Sequence, residues 1–153
     1  MADASVTNTN AGKWLAARYD FTVHGGAVGD IPLRVRAPKG AVIINSFVHT
    51  IVAPTSGGSA TIAIKLQSAG DILAATAYDD PPFDGTFGLG KARYTPAIDL
   101  GTGDGSDTAI DDSAAAAFIA LTAERELTLT IGTAALTAGE INIFIQYVVN
   151  ATA

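Results

Sequence analysis

The chain has 153 residues, a net charge of −6 and no cysteine. That length suits one domain able to bury roughly 68–70% of its unfolded surface. The missing cysteines exclude disulfides, thiolate metal sites and a cysteine nucleophile, and the acidic balance argues against a general nucleic-acid binder.

Met1–Gly12 is small and polar, rich in Ala, Asn, Thr and Asp. It reads as an extended arm, so the chain divides into an N-terminal arm over 1–15 and a domain over 16–153. Met1–Leu15 has neither the basic start nor the apolar stretch of a secretory leader. No window approaches the ~18 consecutive apolar residues that a spanning helix needs, so no membrane partner is expected. Trp14, just past the polar stretch, is a candidate anchor for the arm, because Trp is enriched at interface hot spots.

Ala17–Val23 reads as the first strand, with Tyr19, Phe21 and Val23 on one face, ended by His24-Gly25-Gly26. Asp30–Arg36 is the second, with Ile31, Leu33 and Val35 inward and Arg34 and Arg36 outward. Pro32 cannot donate to a ladder, so this strand begins near it or lies at an edge. Ala41–Val52 carries Val42, Ile44, Val48 and Val52 on one face and Ile43, Phe47 and Ile51 on the other. Either both faces are covered, or a bulge near Asn45-Ser46 breaks the alternation. Ala60–Leu66 follows, with Ile62, Ile64 and Leu66 together. Residues 69–77 are open between strand and helical turn. Residues 78–112 are the least regular stretch, with Lys91–Ile98 as a candidate strand inside it. Ser113–Leu121 is open between helix and strand.

The last thirty residues alternate most cleanly. Leu127, Leu129 and Ile131 share one face of Glu126–Ile131, and Ile141, Ile143, Ile145 and Tyr147 share one face of Glu140–Val148. They read as one hairpin joined through Gly132–Gly139. In total this gives about seven to nine short strands with turn signals between them. The expected fold is an all-β, single-domain antiparallel β-sandwich, jelly-roll-like, with an extended N-terminal arm.

Chemistry finds little support in the residues. There is no G-x-S-x-G elbow, and the two histidines, His24 and His49, read as turn and strand residues. An enzyme is therefore not expected. Asp79, Asp80 and Asp84 lie among Tyr78, Phe83, Phe87 and Tyr94, a grouping that suits either a sugar site or a loop pinned by aromatic anchors. Asp99, Asp104, Asp107, Asp111 and Asp112 sit in a Gly-rich stretch that is open between a solvated loop and a Ca²⁺ site; the EF-hand pattern is absent. No cofactor or metal ligand set is expected.

The outer-face residues point to assembly. Arg34 and Arg36 suit a solvated or edge-protecting face, or pairing with acidic groups on a partner. Phe144 and Val148 lie opposite the Ile141–Tyr147 face, and Phe47 raises the same question on its own strand. Trp14, Arg34, Arg36, Phe47, Phe144 and Val148 are thus the candidate interface residues. Residues 1–65 carry six basic and three acidic groups, +3, and residues 66–153 carry three basic and twelve acidic, −9. That asymmetry suits complementary faces unless folding mixes the two halves.

Several phrases carry a resemblance. They are Tyr19-Asp20-Phe21 leading into His24-Gly25-Gly26-Ala27-Val28-Gly29, and Ala53–Ser59 followed by Ala60-Thr61-Ile62-Ala63. Ala69–Thr76, Leu121–Arg125, Leu127–Gly132 and Leu136–Gly139 complete the set. In these the chain resembles virion structural proteins of tailed bacteriophages, in particular capsid decoration or cement proteins. The resemblance implies a β-sandwich or jelly-roll subunit, made in the host cytoplasm and bound to the outer surface of an icosahedral head. It implies a homotrimer placed where major capsid protein subunits meet, reinforcing the shell against internal pressure. The alternative function is a carbohydrate- or receptor-binding module of a tail or head fibre, using the aromatic stretch 78–94.

Overall fold

The computed structural model of the protein describes residues 12–83, 92–94 (by their backbone) and 119–149. Residues 1–11 of the expected arm, Asp84, Phe87, Asp99–Asp112 and most of Ser113–Leu121 lie outside the described residues. In chain order the elements are β1 (Lys13–Asp20), a single helical turn α1 (Phe21–His24), β2 (Gly29–Ala37), β3 (Ala41–Ser56), β4 (Thr61–Lys65), β5 (Leu73–Ala77), β6 (Ala92–Tyr94), β7 (Arg125–Gly132) and β8 (Leu136–Val149).

These strands form two antiparallel four-stranded sheets, the first ordered β1-β8-β3-β6 and the second β2-β7-β4-β5. The pairing is nested: first strand with last, second with seventh, third with sixth, fourth with fifth. The protein is therefore an antiparallel β-sandwich with nested strand pairing, the class expected from its alternating strands. Nesting also sets which connections are hairpins. Among the described strands only β4 and β5 are sequence neighbours that pair with each other.

The expected hairpin at the end of the chain is thereby corrected. β7 pairs with β2 and β4 in the second sheet, whereas β8 pairs with β1 and β3 in the first. The intervening Thr133–Ala135 carries the chain from one sheet to the other, with Thr133 in the left-handed region at φ 67°. A period of two tells which side chains are buried, but not which strand supplies the ladder. The inward faces themselves are as expected. Leu127, Leu129, Ile131, Ile141, Ile143 and Ile145 are sealed, and with Ile43, Val48, Ile62, Ile64 and Tyr19 they fill the space between the sheets. Each fully buried aliphatic side chain contributes about 1.5–3 kcal/mol relative to exposure.

Two further expectations change. The first strand ends at Asp20 and does not run to Val23, because Asp20 caps a helical turn by accepting the Thr22 N–H at 2.8 Å. Val23 consequently points to solvent, 74% exposed. In β3 the bulge is real: the register to β8 slips between Ile43 and Asn45. Ile43 faces the core before the bulge, and Ser46 and Val48 face it afterwards. The slip explains why both faces of this stretch look apolar in sequence. Residues 73–77, open between helix and strand, form β5, and Ala92–Tyr94 pairs with Phe47–His49 of β3. β2 lies at a sheet edge, as Pro32 requires.

Candidate functional site

The sandwich presents two outward faces of opposite character. On the first sheet the register stacks side chains in rows across β1, β8 and β3. Asp20, Glu140 and Val52 make one row; Arg18, Asn142 and His49 the next; then Ala16, Phe144 and Phe47; then Trp14, Gln146 and Asn45; then Val148 and Val42. Within these rows charge lies at one end, where Arg18 pairs with Glu140 and approaches Asp20 at 3.9 Å. The remainder is apolar or amide-bearing. Trp14, 49% exposed, reaches over β8 to stack on Phe47, ring centroids 5.6 Å apart and planes inclined by 27°. Phe144 is the register partner of Phe47, and both are half-buried. Offset aromatic pairs of this kind contribute about 0.5–1.5 kcal/mol beyond the area they bury. The stack also fixes the Trp14 ring, so less side-chain freedom remains to be lost when another surface meets it.

The outward face of the second sheet is charged and largely neutralised within the chain. The Arg36 guanidinium meets Glu124 at 2.9 Å and Glu126 at 3.6 Å. Glu126 also accepts the backbone N–H of Arg34 at 2.9 Å. Lys65 donates to Asp30, and Thr130 donates to the other oxygen of the same carboxylate at 2.6 Å. These contacts, the Lys65 hydrogen bond first and Thr130 second, hold the Asp30 carboxyl below its ordinary range. The Arg34 guanidinium makes no ion pair among the described residues. Its backbone is left-handed at φ 59°, inside the register break of β2 between Pro32 and Arg36. Beside this cluster a recess of about 350 Å³ runs across the sheet, walled by Ala63, Ala69, Ala74 and Ala75 and closed by Asp30, Lys65 and Thr130.

The six candidate residues therefore do not form one site. Trp14, Phe47, Phe144 and Val148 lie together on the first sheet, whereas Arg34 and Arg36 lie on the second sheet, facing the opposite way. Among the described residues folding brings part of the two halves together, since Arg18 and Arg36 of the basic half pair with Glu140, Glu124 and Glu126 of the acidic half.

Sequence reasoning missed the Trp14–Phe47 stack, because it joins strands that are not sequence neighbours. The alanine-walled recess was missed too. Its signal was the density of small residues in 69–77.

The other candidates have structural duties. His24 accepts the backbone N–H of Asp20 at 3.1 Å and stacks on Tyr19. His49 lies in the row with Arg18 and Asn142, its Nε2 sealed from solvent and without a hydrogen-bond partner among the described residues. Phe83 is completely buried and Tyr78 packs against the core, so these two rings of the aromatic stretch anchor a loop and present no stacking platform. Asp71 accepts the backbone N–H groups of Leu66, Gln67 and Ser68 and pins the β4–β5 turn. Among the described residues no three His, Cys, Asp or Glu side chains converge as metal ligands, and no helix is long and apolar enough to cross a membrane.

No family model matches the chain, and no curated protein matches it. Its fold is shared with chains of three phage capsid structures. One is from the acidic stable capsid of Helicobacter pylori bacteriophage KHP30, with TM-score 0.55, 10% identity, 90% of this chain and 87% of that one. A second is from the cyanophage Pam1 capsid asymmetric unit, with TM-score 0.56, 12% identity, 92% and 86%. A third is from the capsid of Ralstonia phage GP4, with TM-score 0.52, 18% identity, 91% and 86%. The shares of the two chains are nearly equal in each comparison, so the matching chains are close to this one in length.

Proposed function

We propose that the protein is a structural subunit of a bacteriophage virion that decorates the outer surface of the head, seated through the outward face of its first sheet. The observation that carries this reading is the pre-stacked aromatic and aliphatic band formed by Trp14, Phe47, Phe144, Val42 and Val148. It lies on a sandwich whose fold is shared with similarly sized chains in three phage capsids. The mechanism is mechanical. Apolar rings bury against the major capsid protein where its subunits meet, and the amides Asn45, Asn142 and Gln146 supply hydrogen-bonding groups between them. A subunit that binds the assembled shell in preference to free coat protein stabilises the shell by mass action. Three copies per junction is the stoichiometry that the resemblance to cement proteins brings to this reading.

Arg34 has a subsidiary role on the opposite face. Its unpaired guanidinium meets acidic groups of a neighbour in a contact that weakens with salt. Cryo-electron microscopy of heads from the phage whose genome encodes the chain, with the protein added back, tests the reading. Density for the sandwich outside the shell, first sheet inward, is the expected result. Heads with no added density would contradict it.

A further inference from the structure

The four strands at sheet edges differ sharply in how open they are. β2 is blocked by Pro32, which has no N–H, and by the left-handed Arg34 inside a register break. β5 has five residues and its own register slip against β4, and β6 has three residues. β1 has neither defect. It pairs with β8 over eight consecutive residues, Lys13↔Tyr147 to Asp20↔Glu140, without a break. Every second residue of such a strand turns its N–H and C=O away from the ladder partner. Among the described residues, no backbone hydrogen bond other than the β8 ladder involves Lys13–Tyr19, and only Asp20, at the end, turns to His24. The result is a long, regular edge with no strand on it among the described residues, the kind that templates another strand.

We infer that the free edge of β1 is a self-pairing site, at which β1 of a second copy adds antiparallel about a twofold axis through Ala16. The side-chain pattern selects this occupant and register. A twofold perpendicular to the sheet places Ala16 opposite Ala16 of the second copy, both exposed and small enough for close approach. Trp14 then falls opposite Arg18 of the second copy on the outward face, once on each side of the axis. Trp14 is 49% exposed and the Arg18 side chain 57% exposed; within one copy Trp14 leans over β8 onto Phe47 and Arg18 pairs with Glu140, so the contact draws Arg18 from Glu140 toward the exposed indole. An arginine over an indole face is the favourable cation–π pairing. On the inward face Leu15 meets Ala17, a large residue against a small one. Centring on Ala17 would instead set Trp14 against Asp20 and lose that pairing.

The product is one continuous sheet, β6-β3-β8-β1 from each copy, with two apolar bands side by side on its outward face. The pairing uses an edge and leaves the band free, so it can join copies that belong to neighbouring groups on a shell. It does not depend on the phage reading, and its test needs no phage.

The chain has no cysteine, so one substitution gives one thiol. Opposed Ala16 positions would lie about 4.5–5.5 Å apart at Cα, within the range a disulfide spans. Val28, 56% exposed and outside every strand, is the control position. Under mild oxidation Ala16→Cys should form a covalent dimer at least about tenfold faster than Val28→Cys, because pairing holds the thiols at high effective concentration. The wild-type chain should have the mass of a dimer by light scattering at micromolar concentration. Ala16→Glu, which sets two like charges face to face, should be a monomer with unchanged thermal unfolding. A wild-type monomer overturns the inference, and so does any assembly, dimer or trimer, in which Ala16→Cys oxidises no faster than Val28→Cys.

Discussion

Tyr19 shows how one side chain can close a corner of the sandwich. Its ring is fully buried, and its hydroxyl donates to the carbonyl of Gly25 at 2.8 Å, across the α1 turn. Burial, aided by the nearby Asp20 carboxylate, pushes its pKa up to about 12. A phenol whose pKa is raised in the folded state favours that state while it stays protonated. The contribution is complete below the unfolded value near 10 and is lost as pH climbs toward about 12. Tyr19→Phe should therefore cost about 0.5–1.5 kcal/mol at neutral pH in urea unfolding. It should also flatten the loss of stability between pH 10 and 12 that the wild type shows. Equal alkaline loss in both proteins would assign the effect to other groups. Beside this corner, Gly26 has no room for a side chain, since a Cβ would stand 2.2 Å from the Leu136 carbonyl oxygen. Its own carbonyl accepts the Leu136 N–H. Gly26→Ala should lower stability by about 1–3 kcal/mol, read from the shift of the denaturant midpoint. At this scale the sequence was legible in part. The alternation that puts Tyr19, Phe21 and Val23 on one face holds for Tyr19 alone, because it hides a cap at Asp20 that a local hydrogen bond decides.

The strands show where alternation succeeds and where it fails. Ile62 and Ile64, and Ile141 to Tyr147, face inward as their spacing requires, because β4 runs in steady register with β7 and β8 with β1. β3 departs from simple alternation because Ile44 and Asn45 together oppose a single step of β8. The bulge allows a specific deletion test. Removing Ile44 leaves Ile43 opposite Tyr147 and Asn45 opposite Gln146, so Ser46 and Val48 still face the core. That variant should keep a cooperative unfolding transition at a lowered midpoint. Removing Phe47 should lower the midpoint further, because its loss either turns Val48–Thr50, up to the next register shift, to the wrong face or puts Asn45 in the buried place of Ser46. A midpoint lowered equally by both deletions, or more by the loss of Ile44, would contradict the bulge as the point of adjustment. Partner choice was the illegible part: β7 and β8 carry perfect alternation yet join different sheets, since that choice is made by the long-range nesting of all eight strands.

At the scale of the molecule, two outward faces with different chemistry define what the protein can meet. The second sheet carries Arg36 between Glu124 and Glu126, and Lys65 on Asp30. Exposed pairs of this kind contribute about 0–1 kcal/mol each and keep that surface solvated. Arg36→Ala should thus leave the thermal unfolding midpoint nearly unchanged; a large drop would show that the pair also organises the β2–β7 edge. The first sheet is the opposite case, with its charges gathered at the Arg18–Glu140 end and its rings assembled at the other. The sequence placed Trp14, Phe47, Phe144 and Val148 among candidate contacts one strand at a time. That they share one face, and that Arg34 and Arg36 are turned away from it, follows only from the sheet order. The central claim is that this face seats the protein on an assembled head. Under the proposal that it does, the most direct measurement is co-sedimentation of the purified chain, and of its Phe144→Asp variant, with phage heads and with unassembled coat protein. The account predicts saturable binding of the wild type to heads, little to unassembled coat protein, and at least about a tenfold weaker association for Phe144→Asp, a buried anchor being worth ~2 kcal/mol or more. Heads that bind neither protein, or bind both equally well, would contradict it.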